Sequence, residues 1–285
     1  MLKTASFPIY TEIRKNPLVV CRMLPAEVFE YPFFNDGVSK VSSTNSIRKE
    51  LDLNSVTVLE SKGSLQLKGF IFHISHCGST LLANMLKASK KTRVVAETEA
   101  INGLLLSAVF YDLEEKTLIN NLKTIIKAYL QPLDEEEQVV FKLTSWNIFF
   151  IELFQKAFPE IPWIFIDRRT EEVVQSLLKS GNGFVEWFYH PTNLLQNYFL
   201  DEEKQFKSLE NYLFVMIEAH KKTAEKFLLG NNLFLEYPSF PNKFKSEILP
   251  HFNLNYFEIE LEAAEEARKY DAKSIYKAPY SNLGS

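Results

Sequence analysis

LQLKGFIFHISHCGSTLLANMLKAS, Leu65 to Ser89, is the stretch that decides the fold. Leu67 to Ile74 is mostly apolar and aromatic, which predicts a strand buried on both faces, as in a parallel sheet. Leu81, Leu82, Met85 and Leu86 recur at helical spacing, with Ser79 and Thr80 placed to cap the helix they open. Gly78 lies in the short loop between. Glycine is scarce in this chain, 9 of 285 residues, about 3% where ~7% is usual, so a glycine at a strand-to-helix turn is informative. The predicted order is strand, tight loop, helix.

Four more strands are expected at Arg93 to Ala96, Val139 to Leu143, Trp163 to Asp167 and Asn232 to Glu236. Helical patterns lie among them at Lys116 to Leu130, Asn147 to Ala157, Glu171 to Lys179 and Leu209 to Leu229. This alternation implies βαβ crossovers and an α/β fold, a P-loop-type parallel sheet flanked by helices on both faces. Such sheets bind ligands at the carboxyl ends of their strands, where the strand order reverses. Residues 1–66, with Pro8, Pro17, Pro25 and Pro32 and the polar run SKVSSTNS, break the alternation and are expected to form an irregular lead-in or small accessory layer. Residues 67–285 are expected to form the main domain. The acidic runs DEEE (134–137) and EIELEAAEEAR (258–268) read as a solvated loop and an exposed helix.

A chain with 46% hydrophobic residues has ample material for a core. Its net charge of −4 argues against a polybasic nucleic-acid coat, though not against a local anion site. Two cysteines, Cys21 and Cys77, make neither a disulfide framework nor a four-ligand zinc site, which fits a reducing, cytoplasmic setting. The apolar stretch Gly103 to Tyr111 is far shorter than the ~20 residues a membrane span needs, and the N-terminus lacks a signal-type core. The five histidines show no zinc spacing, so no metal is expected.

The loop HISHCGST, His73 to Thr80, points to phosphate or sulfate, because a turn of this kind gathers backbone N–H groups at a helix N-terminus. A plain βα turn has the same outline. The Walker A lysine is missing, since Ser79 follows Gly78 directly. The segment resembles the loop of the sulfotransferases that use 3′-phosphoadenosine 5′-phosphosulfate (PAPS), with His76, Cys77, Gly78, Ser79 and Thr80 in the places of the residues that hold the donor's 5′-phosphosulfate. His76 stands where cytosolic members have Lys and tyrosylprotein members have Arg. FIDRRTEEVVQS resembles the family's 3′-phosphate segment, implying that role for Arg168 and Ser176, eight residues apart. A surface arginine at a helix start is the alternative.

RVVAETEAI holds Glu97 and Thr98, with Glu97 twenty-one residues after His76, as in the tyrosylprotein sulfotransferases, where the Glu is the general base. Glu99 is its rival, better suited to complement a helix dipole. FKLTSW places Lys142 near the end of an apolar strand, costly to bury without an anion. It resembles the lysine that neutralises the leaving oxygen, with Ser145 nearby, and a snorkelling lysine is the alternative. FLEYPSF (234–240) is similar to a later strand end, and Lys277, in DAKSIYKAP, is a candidate nucleotide contact. The aromatic segment GFVEWFYHP (183–191) could line an acceptor pocket or pack in the core.

The resemblance covers roughly residues 68–180 and implies sulfuryl transfer from PAPS to a hydroxyl or amine of a small-molecule or peptide acceptor, without nucleic acid or a membrane span. An ATP-dependent small-molecule phosphotransferase and a non-catalytic nucleotide binder are the alternatives. A Cys77 nucleophile would need an arginine where Ala83 stands.

Overall fold

A computed structural model describes residues 3–41, 48–53, 64–181, 183–190, 194–200, 206–228 and 232–274. Five parallel strands form the central sheet: β4 (Gln66–His73), β5 (Thr92–Ala96), β6 (Gln138–Lys142), β7 (Trp163–Asp167) and β8 (Leu233–Glu236), in the order β5-β6-β4-β7-β8. The five stretches expected to be strands supply them, with ends shifted by at most one residue. Every residue of β5 is buried, as are the last five of β4, which is why these runs are apolar without alternation.

The order explains where a ligand must sit. From β4 the chain crosses to the edge at β5 and returns to β6, then passes to the other side of β4 for β7 and β8. The direction of travel reverses at β4, so the crevice opens at the carboxyl ends of β4, β6 and β7. The loop after β4 lies at this reversal.

Helices flank the sheet: α2 (Ser79–Leu86), α3 (Glu99–Tyr111), α4 (Glu115–Ala128), α5 (Ile151–Ala157), α6 (Thr170–Ser180), α7 (Phe184–Phe188), α8 (Leu194–Leu200), α9 (Leu209–Lys226), α10 (Leu249–His251) and α11 (Glu258–Glu266). The stretch at 147–157 begins as a 3-10 turn, Ser145–Phe150, before α5. Helix α3 covers Gly103 to Tyr111, an apolar run with little periodicity because the first part of the helix is buried nearly all round.

Residues before β4 carry strands of their own. β1 (Thr4–Thr11), β2 (Leu18–Pro25) and β3 (Arg48–Asp52) form an antiparallel sheet in that order, with a register shift between Pro8 and Tyr10. Helix α1 (Phe34–Val41) follows β2 through a 3-10 turn. β1 packs against α3 so closely that a Cβ on Gly103 would lie 2.1 Å from Thr11 O. Tyr129, at the end of α4, joins the two layers. Its hydroxyl donates to Pro8 O and pairs with Thr98 Oγ1 at 2.5 Å.

The acidic run 134–137 is a loop, but Glu136 is not solvated as expected. Its carboxylate accepts Nε and Nη2 of Arg93, whose side chain is wholly enclosed and lies over the Phe29 ring. Burying that guanidinium requires an anion, and Glu136 supplies it.

Candidate active site

The crevice at the strand ends is a cavity of about 380 Å3. Its floor is the loop after β4. His76 and Gly78 both adopt positive φ, 56° and 83°. At Gly78 two constraints coincide, since side chains disfavour that conformation and a Cβ there would meet Tyr237 Cδ2 at 2.6 Å. Gly78 also leaves α2 without a side-chain cap. The first intrahelical bonds run from the amides of Leu81 and Leu82 to Gly78 O, so Ser79 and Thr80, which line the cavity, form the open first turn. Cys77 faces the protein interior as well as the loop. Its Sγ donates to Ile74 O at 2.8 Å, and burial pushes the thiol up to about 12, so it is no thiolate near neutral pH.

Arg168 and Ser176 close on the same loop. α6 begins just after β7 and carries Ser176 about two turns along, where its hydroxyl meets His76 Nδ1 at 2.6 Å. Arg168 donates from Nη1 to His76 O and from Nε to Glu172, each at 2.9 Å, with its guanidinium over the Tyr237 ring. Two residues of one segment about a hundred residues from the loop thus converge on one histidine. Burial lowers the His76 pKa to about 4, assisted by the charges of Lys273 and Arg168.

Glu97 occupies the opposite wall. It is the residue after β5, held at φ 51° by its own N–H, which donates to Lys142 O at 2.8 Å. Its carboxylate borders the cavity and accepts the Lys142 ammonium, so the anion that the buried lysine requires is this glutamate. Lys142 is enclosed between Glu97 and the Phe33 ring, 4.8 Å away, and does not line the cavity. Burial alone would raise the Glu97 pKa; Lys142 and His73 outweigh it and bring the carboxyl below its usual range.

His73 wedges between the ends of β4 and β6. Both ring nitrogens face carbonyl oxygens, Nδ1 at 2.7 Å from Ile74 O and Nε2 at 2.8 Å from Leu143 O. Nε2 also lies 3.7 Å from Glu97 Oε1. Burial and Lys142 lower this ring's pKa to about 4. Glu99 is outside the cavity and accepts from Asn102, as a first-turn acid of α3.

Several lining residues escaped the sequence reading. Phe33 comes from the segment before β4; Tyr237 follows β8; Arg268, Tyr270, Asp271 and Lys273 form a wall from the last described residues. A basic residue near the chain end was the available signal. Lys277 itself lies outside the described residues. Ser145 lines the cavity and its hydroxyl lies 3.0 Å from that of Ser75. Phe184 and Trp187 instead pack together, Phe184 against His220 and Trp187 against Trp146 and Phe199, while Pro191 is outside the described residues.

No protein-family model matches the chain. No curated protein matches it either. Solved sulfotransferases do resemble it. Sulfotransferase STF9 from Mycobacterium avium is 12% identical, with 80% of this chain and 76% of that one covered and a TM-score of 0.49. Sulfotransferase STF1 from Mycobacterium tuberculosis is 11% identical over 71% of each chain, at 0.46. A mouse sulfotransferase complexed with PAP is 13% identical, with 70% and 63% covered, at 0.38. At such identities, function has to be read from the site itself. Among the described residues no helix is long and apolar enough to cross a membrane.

Proposed function

We propose that the protein is a sulfotransferase that moves a sulfuryl group from PAPS to a hydroxyl or amine of a small-molecule or peptide acceptor. The observation that carries this reading is the meeting, in one cavity, of the glycine-turned loop, the Arg168 and Ser176 pair, and a carboxylate held ionised by a buried lysine.

The residues fit a phosphosulfate. Gly78 offers backbone without a Cβ, the first turn of α2 carries no side-chain cap, and Arg168, Arg268 and Lys273 bring positive charge to the rim. PAPS, as co-substrate, supplies an activated sulfuryl group. In this reading Ser79, Thr80 and the loop amides hold the sulfuryl oxygens, while Arg168 and Ser176 hold the 3′-phosphate. Glu97 takes the proton from the acceptor's O–H or N–H as attack proceeds. Lys142 aims that carboxylate and keeps it deprotonated, a role that fits its contact with Glu97 better than direct neutralisation of the leaving oxygen.

Thermal unfolding with added ligand tests the reading, because a ligand bound to the folded state raises the melting temperature by mass action. Adenosine 3′,5′-bisphosphate should stabilise the protein more than ATP with magnesium does. The reverse order would favour a phosphotransferase, and no shift with either would remove the nucleotide.

A further inference from the structure

Between the end of β4 and the start of α2 the titratable side chains are His76 and Cys77, and His76 meets the segment that opens α6. His76 gives its carbonyl to Arg168 and its Nδ1 to Ser176. Charged and titratable groups share its cavity: His73 at the end of β4, Cys77 beside it, Glu97 after β5 with its partner Lys142, Arg168 before α6 with its partner Glu172, Tyr237 after β8, and Arg268, Tyr270, Asp271 and Lys273 on the C-terminal wall. Burial, with the cations Lys273 and Arg168 adding to it, keeps the ring neutral near pH 7.

The hydrogen bond to Ser176 gives protonation a chemical consequence. With a neutral ring whose proton is on Nε2, Nδ1 is an acceptor and the Ser176 hydroxyl donates to it. In the imidazolium, Nδ1–H donates to Ser176 Oγ instead. The Ser176 proton is then released to point elsewhere, while the ring's Nε2–H remains a donor and now carries charge. One added proton therefore converts the pair from mutually satisfied to anion-seeking. An oxyanion beside Lys273 and Arg168 also offsets the two charges that oppose this protonation.

We propose that the cavity takes up its oxyanion together with one proton, which lodges on His76, so that an imidazolium formed on binding supplies the loop cation beside the leaving oxygen. The proton comes from solvent, forms the second ring N–H bond, and returns to solvent when the anion leaves; no bond of the ligand changes in this step. The proposal rests on the anion-binding half of the sulfotransferase reading. It assigns to His76 the charge that Lys142, held by Glu97, does not bring to the cavity.

A ring moved from about 4 to near 7 implies an anion affinity about 1,000-fold greater for the charged ring than for the neutral one. Since the value rises on binding, affinity rises as the pH falls, by up to about tenfold per unit between the two values.

The test uses the full chain labelled with 15N-histidine, titrated with inorganic sulfate and with adenosine 3′,5′-bisphosphate across neutral pH. Sulfate does not itself titrate there. The expected result is that both ligands move the His76 nitrogens to imidazolium shifts, and that sulfate, whose charge is constant, binds more tightly at lower pH; the bisphosphate's own phosphates titrate at about pH 6, so its pH slope is read only as the difference from His76→Lys. His76→Gln should bind weakly with the pH dependence removed. His76→Lys, which carries its charge permanently, should bind tightly with little pH dependence, and His76→Asn, a neutral side chain that tolerates this left-handed backbone, keeps the test decisive if the longer side chains prevent folding. Binding with unchanged ring nitrogens, a pH slope for sulfate that survives in any variant, or no binding of either anion would overturn the proposal. Proton-coupled sulfate binding without preference for the bisphosphate over ATP with magnesium would sink the PAPS reading and leave this one standing. Bisphosphate binding without proton uptake would do the opposite.

Discussion

Replacing Lys142 by methionine keeps much of the side chain's length and removes its charge, which isolates what the ammonium does for Glu97. The Lys142 side chain has no exposure and that of Glu97 is 23% exposed, so the substitution strands a carboxylate in a mostly enclosed position. Breaking a buried pair from one side costs about 3–5 kcal/mol, and the cavity gives Glu97 some access to water, which places the expected loss near 3 kcal/mol at neutral pH. The pH dependence gives the sharper test. In the native protein the folded Glu97 value lies below the unfolded one, so the pair's contribution is present above about pH 4.3 and lost as the pH falls through the folded value. In Lys142→Met burial acts without the ammonium and the folded value moves above the unfolded one. The variant's deficit should therefore be full at neutral pH and fade as the pH falls toward about 4. Other carboxylates titrate alike in both proteins and cancel in the difference. Adding Glu97→Gln removes the stranded charge and should bring the double variant within about 1 kcal/mol of wild type, whereas Glu97→Gln alone strands the ammonium and stays destabilised. Urea unfolding followed by tryptophan fluorescence at several pH values measures all four proteins. A deficit independent of pH, or strictly additive substitutions, would show that Lys142 contributes packing alone.

Three further outcomes are expected. Arg168→Ala should weaken adenosine 3′,5′-bisphosphate by roughly 1.5–3 kcal/mol, the worth of a charge-assisted contact, with much less effect on the analogue lacking the 3′-phosphate; calorimetry showing equal losses would reassign the residue. Gly78→Ala should lose at least ~2 kcal/mol, because a left-handed alanine costs ~1–2 kcal/mol and its Cβ collides with Tyr237. Adding Tyr237→Ala should relieve the collision and leave the backbone part, so complete recovery in chemical denaturation would contradict the assignment. Cys77, with its thiol pushed up to about 12 by burial, should resist iodoacetamide in the native protein near neutral pH and react on unfolding; rapid native labelling by mass spectrometry would count against its placement.

The parallel sheet was legible because its strands are short apolar runs ended by polar or turn residues, as in Trp163 to Asp167 followed by Arg168. The sheet before β4 was not. Pro8 interrupts β1, and only the register shift beside it shows how the strand accommodates a residue with no amide donor. Helix α3 hid for a different reason, since a helix buried on most sides loses the polar stripe that marks its period. At the site, Glu97 and Lys142 were each recognisable at a strand end, yet their pairing required knowing that β5 and β6 are neighbours. Phe33 reaches the cavity from a segment before the parallel sheet and no local pattern announces such a contact, whereas Lys273 was marked only by the basic character of DAKSIYKAP.

The Tyr129 hydroxyl makes the opening strand a splint for Glu97, the base of the proposed reaction. It ties Pro8 O to Thr98, and Thr98 is both the residue after Glu97 and the cap of α3, accepting the Ala100 amide. The Glu97 backbone is held from one side by Lys142 O and from the other by this capped turn. Removing β1 would leave the five parallel strands their own ladder while taking away a brace on Glu97, which the proposed reaction needs aimed. Trimming the amino-terminal end to obtain a tidier protein would therefore loosen the Glu97 turn together with the core that Phe7 shares with Phe29 and Tyr129.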